Sequence, residues 1–307
     1  MLCHRILWRL ILLLWLFLFS QSQANELTRY FYKQSPFVIV YHKEGDEAVP
    51  LDDNNHNDIP DRVENIAIQL TAARELYHTL YNFPDPLLSQ RHAKKQPQTI
   101  EVVIRNREKM KSNGLAFSES TKSKLNSKNF SLKIHIANTV DPVKNLTPTH
   151  EYFHLIQYGS TYFRNAWFLE GMARWSEDGI GKKTNINSDL NQLMQDTTQI
   201  EQLFKEKYRA QQIIWTPLSV ACEDKNYIPQ NIQQKYRYLD GTSVFKDDLF
   251  YGANVMQNIL HCLHKQENMA VNNFKNRQDW IKNGQRSSSN NPFILQCVQT
   301  VLTQCKK

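Results

Sequence analysis

Two histidines four residues apart, His150 and His154, are the part of this sequence that most directly suggests chemistry. Residues at this spacing lie on one face of a helix, because an α-helix has 3.6 residues per turn. Two imidazoles on one face can bind a single Zn²⁺, and Glu151 can take a proton from a metal-bound water without being a ligand. The segment therefore predicts a helix that carries part of a hydrolytic zinc site.

A hydrolytic zinc site also needs a third protein ligand and one open position. We predict that Glu170 is this ligand, on a second helix that starts near Ala166 after a loop at 157–165 turns the chain back. Gly171 would permit close helix packing behind the ligand. Glu177 lies two turns further along the same face, so we expect its carboxylate to orient a ligand histidine by accepting the other ring N–H.

A second informative stretch, residues 53–64, has the ligand spacing of an EF-hand-type Ca²⁺ loop. With Asp53 as position 1, oxygen-bearing side chains fall at positions 1, 3, 5, 9 and 12, and position 7 offers a carbonyl. Position 6, normally glycine, is Asp58, and aspartate tolerates a left-handed backbone better than most residues. The alternative is a polar turn that caps the next helix. The predicted calcium ligands are Asp53, Asn55, Asn57, Ile59, Asp61 and Glu64.

Hydrophobic periodicity and β-rich runs predict an α+β fold with a mixed sheet, followed by a helical C-terminal part. The polar, glycine-poor stretch 107–128 is predicted to be a loop or insertion. The predicted strands are 37–42, 98–104 and 131–137, and the last of these is expected to offer its edge to an extended substrate. The predicted helices outside the zinc-binding segment are 61–83, 188–210, 252–265 and 291–305.

His-Glu-x-x-His at 150–154, followed by Trp-x-x-Glu-Gly-x-Ala-x-x-x-Glu at 167–177, resembles the gluzincin metallopeptidases, in which two histidines and a downstream glutamate bind zinc. The order of strand, Asx-rich Pro-Asp loop, long helix and zinc motif resembles a family of exported bacterial metalloproteases with an MA-like zincin domain. This resemblance covers about 37–178 and reappears at 251–253. It implies a zincin-like fold, a zinc metallopeptidase of endopeptidase type, and Tyr251 as the donor that steadies the oxyanion.

Length and composition fit one peptidase domain. The chain has 307 residues, of which 41% are hydrophobic, so a sizeable core can form. The formal charge of +7 is spread without a dense Lys/Arg run, so we expect no nucleic-acid partner. The resemblance to metallopeptidases implies a peptide or protein substrate. The predicted domain spans 25–307, with an N-terminal α/β part at about 37–180 and a helical part at about 185–307.

Residues 1–24 read as a signal peptide. Arg5 and Arg9 supply its positive charge, residues 10–19 are an apolar run, and Ser22-Gln23-Ala24 is a small-x-small cleavage site. Export to the periplasm or the medium is therefore expected, with an uncleaved anchor as the alternative. No later segment is apolar enough to span a membrane.

Four cysteines follow the signal, and in an exported chain they predict two disulfides with three connectivities. Eight helical residues would separate Cys297 from Cys305 by ~12 Å, which is beyond disulfide reach. These two cysteines are therefore expected to pair with Cys222 and Cys262, in an order that the sequence leaves open.

Two other functions stay open at this point. One is a catalytically silent zincin-fold module for binding or adhesion, and the other is a zinc hydrolase of small amides or esters. A site that has lost its activity has no need to retain all four residues, so their presence argues against the catalytically silent module. The four residues are His150, Glu151, His154 and Glu170. The G-x-S-x-G motif of serine hydrolases is absent, so serine-dependent hydrolysis is unsupported.

Overall fold

The computed structural model describes residues 28–181 and 189–305, so the predicted signal peptide lies outside the described residues. Within residues 28–181 the chain forms a five-stranded mixed sheet. Its strands are β1 (Tyr30–Gln34), β2 (Phe37–Tyr41), β3 (Thr99–Arg105), β4 (Gly114–Lys122) and β5 (Phe130–Ala137), in the spatial order β1-β2-β3-β5-β4. The three inner strands are parallel, while β1 and β4 run antiparallel to their neighbours at the two edges.

Strand β4 corrects the prediction that 107–128 is a loop or insertion. Its side chains are mostly half-buried or exposed, as befits an edge strand, so the usual apolar signal of a buried strand is missing. Pairing with β5 decides its structure, with a register shift between Phe117 and Thr121. The prediction that 131–137 offers its edge to a substrate is also wrong, because β5 is paired on both sides and the free edge belongs to β4.

Helices make up most of the rest of the described chain. The α-helices are α1 (Asp61–Arg74), α2 (Arg107–Met110), α3 (Thr147–Ser160), α4 (Ala166–Ser176), α5 (Leu190–Gln195), α6 (Thr197–Leu203), α7 (Thr216–Ala221), α8 (Gln230–Lys235), α9 (Ala253–Val271), α10 (Arg277–Asp279) and α11 (Asn291–Cys305). Short π-helical segments span Glu75–Leu80, Gln211–Trp215 and Trp280–Gly284, and 3₁₀ turns span Pro86–Leu88, Gln90–His92, Glu177–Gly179 and Ser288–Asn290. A small antiparallel hairpin, β6 (Lys225–Tyr227) and β7 (Leu249–Tyr251), lies among the C-terminal helices.

The described part of the predicted helix 188–210 is two short helices and not one. The Asp196 carboxylate accepts from the N–H groups of Thr198 and Gln199, which caps α6 and ends α5 at the same point. Aspartate competes with helix continuation in this way, because its side chain satisfies the free N–H groups of a new first turn. Residues 182–188, which include the first predicted residue, lie outside the described part.

One apolar core runs from the sheet through the helices of both parts of the chain. Tyr152 on α3 meets Phe37 of β2 edge to face, with ring centroids 5.3 Å apart. Trp175 on α4 stacks on Phe250 of the C-terminal hairpin at 4.6 Å. Helices α3 and α4 therefore lie between the sheet and the C-terminal elements, held from both sides. In the described ranges, no helix has the length and apolar character needed to cross a bilayer.

Two disulfides tie α11 to the C-terminal elements that precede it. Cys222 at the end of α7 is bonded to Cys305, and Cys262 on α9 is bonded to Cys297, with Cα–Cα distances of 5.2 Å and 5.7 Å. The prediction that Cys297 and Cys305 pair with the other two cysteines is confirmed. Packing of α11 against α9 determines the order that the sequence left open.

Peptide mapping without reduction should recover exactly these two linked pairs. Changing Cys262 and Cys297 together to serine should lower the free energy of unfolding by roughly 2–5 kcal/mol, because the unfolded chain regains the freedom of a closed loop. Chemical denaturation of the oxidised parent and the double variant measures the difference. A linkage between Cys222 and Cys262 in the map would contradict the arrangement of α7, α9 and α11.

Candidate metal centre

The three predicted ligands converge in the structure. His150 and His154 project from α3 and Glu170 projects from α4, and one ligand atom from each lies within 4.8 Å of the others. The Glu170 Oε2 atom lies 3.3 Å from His150 Nε2 and 3.6 Å from His154 Nε2. The centre is mostly enclosed, since both histidine side chains are almost fully buried. These residues could hold one metal ion.

Close packing behind α4 sets the approach of Glu170. A Cβ atom added to Gly171 would lie 2.7 Å from Ala210 Cβ and 2.7 Å from Trp215 Nε1, so no side chain fits there. The Trp215 indole donates to the carbonyl of Trp167 at 3.0 Å and stacks on its ring. The expected role of Gly171 is confirmed by these contacts, which hold α4 against the segment Gln211–Trp215.

Each ligand histidine has its second ring nitrogen occupied by an acceptor. The Nδ1 atom of His150 lies 2.9 Å from Glu177 Oε1, where the sequence predicted an orienting carboxylate. The Nδ1 atom of His154 lies 2.7 Å from Gln157 Oε1, and the Gln157 amide in turn donates to the Leu169 carbonyl. An imidazole that donates from Nδ1 presents a lone pair at Nε2, so both rings are oriented as ligands.

Gln157 was missed because the sequence analysis ended the helix before it. The structure continues α3 to Ser160, so the predicted loop 157–165 begins four residues later than expected. Gln157 lies three residues after His154 on one helix, which places the two side chains side by side. This i,i+3 spacing was the signal in the sequence that could have identified Gln157.

The electrostatics of the three residues favour a positive charge between them. Burial lowers the pKa of His150, but hydrogen bonds to Glu170 and Glu177 outweigh burial and raise it to about 10. Burial raises the pKa of Glu170, but its contacts with His150 and His154 hold it well below the usual range. The raised pKa means that His150 binds a proton at neutral pH, and a metal ion would compete with this proton for the Nε2 atom that faces Glu170. This donor set therefore fits a metal ion.

Glu151 lies beside the centre and touches the edge strand. Burial raises its pKa, against the opposing effect of His154 and His150. A Cβ atom on Gly114 of β4 would lie 2.4 Å from Glu151 Oε1, so the strand approaches the carboxylate as closely as a glycine allows. The sequence analysis had placed Gly114 in a loop, and only the strand pairing brings it to Glu151.

Tyr208 is a further residue of the centre that the sequence did not indicate. Its ring centroid lies 6.0 Å from that of His150, and its hydroxyl hydrogen-bonds to Glu170. Burial and the charge of Glu170 raise the pKa of its hydroxyl, which keeps it protonated at neutral pH. The residue is 56% exposed, so it also faces the open side of the centre. No motif surrounds Tyr208, and the packing of its turn against α4 alone brings it here.

Tyr251, the predicted oxyanion donor, lies at the end of β7. Its carbonyl accepts a hydrogen bond of 2.9 Å from the Trp175 indole. Trp175 follows Glu170 by five residues, which is about 140° around the helix. The main chain of Tyr251 therefore lies on the side of α4 turned away from Glu170, and a role for this residue in the chemistry stays a prediction.

The predicted calcium loop folds as a hydrogen-bonded turn before α1. The Asp53 carboxylate accepts from the N–H groups of Asn57 and Asp58, at 3.1 Å and 2.8 Å. Asp58 has a φ of 65°, the left-handed backbone that the sixth position of such a loop requires. The side-chain amides of Asn55 and Asn57 both donate to Glu64 at 3.0 Å. Within residues 28–181, however, the acidic groups of this loop do not converge as a three-ligand set, and calcium binding stays a prediction.

Removing Glu170 should weaken metal binding more than removing Glu177. Glu170→Ala deletes a ligand, whereas Glu177→Ala deletes the acceptor that fixes the His150 ring, a change that typically costs about 10- to 100-fold in affinity. Competition with a chromophoric chelator measures the Zn²⁺ affinity of both variants. Asp46→Ala, which removes an exposed carboxylate from a surface ion pair with Lys109, is the matched control. A larger loss in Glu177→Ala would reverse the two roles.

Calcium, if it binds the loop at 53–64, should raise the melting temperature. Binding to the folded state alone adds RT ln(1 + [L]/Kd), or ~2.7 kcal/mol at a hundredfold excess over Kd. Melting is followed at millimolar calcium and in a calcium-selective chelator, at constant zinc. Asp53→Ala and Glu64→Gln should each abolish the response, and Asp46→Ala, in a surface ion pair with Lys109, should keep it. If the melting temperature of the parent does not change with calcium, the loop is a polar turn and not a calcium site.

Comparison of the chain with protein-family models, with curated proteins and with solved structures found no significant match.

Proposed function

We propose that this chain is an exported zinc metallopeptidase that hydrolyses peptide bonds, with His150, His154 and Glu170 as the zinc ligands. The observation that carries the proposal is the convergence of these three ligands within 4.8 Å, next to Glu151 on the same helix. Two imidazoles and one carboxylate are a ligand set of hydrolytic zinc sites. A gluzincin-type zincin fold belongs to the proposal, supported by the mixed sheet and by ligands on two consecutive helices.

The sequence signal at 1–24 and the two disulfides support export. Disulfides form and persist in oxidising compartments and are rare in the reducing cytosol. The proposed place of action is therefore the periplasm or the medium.

Three side chains would share the chemistry. Zinc bound here would supply a water molecule whose pKa is lowered to ~7. Glu151 is placed to accept the proton of such a water, and its raised pKa would suit a group that holds the proton and passes it to the leaving amine. Tyr208, protonated and partly exposed beside Glu170, donates a hydrogen bond to the carbonyl oxygen as negative charge develops there.

The free edge of β4 supports a peptide as the substrate. Gly114 at the start of this strand lies against Glu151, so a chain that pairs with the edge passes the general base. An extended peptide can add to an exposed strand through main-chain hydrogen bonds, which gives affinity independent of side chains. A small amide or ester could reach the same residues but would leave this edge unused.

Glu151→Gln should keep zinc bound and abolish hydrolysis. The amide has the size of the carboxylate but cannot accept the proton, and loss of a general base usually costs roughly 10² or more in rate. The assay is digestion of casein and of a peptide library by the zinc-loaded protein, with metal content measured on the same sample. Activity within tenfold of the parent would remove Glu151 from the mechanism.

Tyr208→Phe tests the second role in the same assay. We expect kcat of the fully zinc-loaded variant to fall about 10²-fold, the usual effect of removing one oxyanion donor, even after any loss of zinc affinity from the missing hydrogen bond to Glu170 is made up with added zinc. Tyr227→Phe, an exposed tyrosine on β6, is the control and should behave as the parent. A drop in zinc affinity with kcat intact would make Tyr208 a group that supports the ligands and not a donor to substrate.

A further inference from the structure

A stack of two aromatic rings that ends in a positively charged side chain extends from the metal centre along α3. Tyr158 lies one turn after His154, and the two rings stack with centroids 5.7 Å apart and an angle of 9° between them. The guanidinium of Arg164, in the connection between α3 and α4, lies 4.4 Å from the centroid of the Tyr158 ring. A fixed positive charge therefore lies one ring away from a proposed zinc ligand.

The charge of Arg164 is buried and poorly compensated. Its Nη1 atom donates to the carbonyls of Thr161 and Phe163, while its Nη2 atom is buried without a hydrogen-bond partner. Burial and the charge of Arg91 lower its pKa to about 9. The charge of Glu267 stabilises the protonated guanidinium of Arg164, but that carboxylate already accepts hydrogen bonds from the Tyr162 N–H and from Arg277. A buried cation without a close counter-ion is costly, so this region attracts an anion.

Two further arginines surround Tyr158. Arg91 donates to the Tyr158 carbonyl at 2.9 Å, and its ion pair is with Glu119, a residue whose side chain is 68% exposed and therefore screened by solvent. Arg286 is exposed and follows Gln285, whose carbonyl accepts the Arg164 N–H at 2.8 Å. Over residues 28–181 and 189–305, no carboxylate forms an ion pair with Arg164 or Arg286.

The carboxylate of Glu170 lies 3.6 Å from the Nε2 atom of His154, whose ring stacks on Tyr158. Cations thus collect on one side of this ring and the proposed catalytic carboxylates on the other. A peptide bound across the metal centre would pass from negatively charged to positively charged side chains at Tyr158. Such a gradient orients a substrate that carries a negative charge at one fixed distance from the cleaved bond.

We propose that Arg286, backed by the buried charge of Arg164, forms a subsite for a carboxylate of the peptide substrate on the His154 side of the metal centre. This inference rests on the proposed peptidase function and names its substrate class. Arginine suits the role because its planar guanidinium binds a carboxylate with two parallel hydrogen bonds. In an extended peptide the carboxylate would lie at a fixed number of residues from the cleaved bond. It belongs to a glutamate or aspartate side chain or to the peptide C-terminus.

Matched peptides distinguish the two sources of the carboxylate. In one series with amidated C-termini, a glutamate replaces a glutamine at each position in turn. In a second pair without acidic residues, the C-terminus is free or amidated. With the zinc-loaded parent, we expect kcat/KM to rise about tenfold for glutamate at one position or for the free C-terminus, mainly through KM. In Arg286→Gln, kcat/KM for that peptide should fall to the value of its neutral counterpart. In Arg286→Glu, kcat/KM should instead be highest for the peptide with lysine at the same position.

Arg237→Gln is the control, because it removes the same charge from another exposed site and should keep the preference. Binding of the same peptides to the Glu151→Gln variant repeats the comparison without turnover. Equal kcat/KM values for all the matched peptides would overturn the subsite while leaving the peptidase proposal intact. A preference that survives in Arg286→Gln would overturn it as well. Arg286-dependent binding of the acidic peptides, in a parent that hydrolyses none of them, would support the subsite and refute the peptidase.

Discussion

The approach of Glu170 to the Nε2 atoms of His150 and His154 organises the metal centre and its surroundings. These atoms belong to two helices, and they attract one another only when a proton or a metal ion lies between them. The structure holds them at 3.3 Å and 3.6 Å. It does so because α3 and α4 are fixed independently of the centre, α3 by the sheet and α4 by the packing of Gly171 against Ala210 and Trp215. Rigid helices of this kind allow a site to be oriented in advance.

Orientation continues outward from the ligands through hydrogen bonds. Glu177 and Gln157 each occupy the second nitrogen of a ligand histidine, and Arg174 donates to both oxygens of Glu177. Each imidazole is therefore held in one orientation, with its Nε2 atom turned toward Glu170. Such outer partners commonly change metal affinity by about 10- to 100-fold, so they belong to the site as much as the ligands do. The same contacts explain why the electrostatics favour a cation at the centre.

Charge is distributed unevenly around this centre. Three glutamates, Glu151, Glu170 and Glu177, lie at or beside the ligand histidines, while arginines gather beyond Tyr158. The edge of β4 runs past Glu151 and continues to Glu119, which is paired with Arg91 next to the Tyr158 carbonyl. The strand edge thus connects Glu151, the proposed general base, to the arginine cluster. A peptide along this edge would meet both regions, which links the proposed chemistry to the proposed selectivity.

Local spacing in the sequence was enough to determine the ligand face, because four residues on a helix always return to nearly the same side. The same geometry predicted the position of Glu177 relative to Glu170 and excluded a bond between Cys297 and Cys305. The sequence could not show β4, whose polar side chains hide a strand that exists only through pairing with β5. Nor could it show Tyr208, which reaches the centre through packing of a distant segment, or the position of Arg286 next to the residue that bonds to Arg164. Helix periodicity is a property of neighbouring residues, whereas strand pairing, the order of the disulfides and the surroundings of a site depend on contacts between residues far apart in the chain.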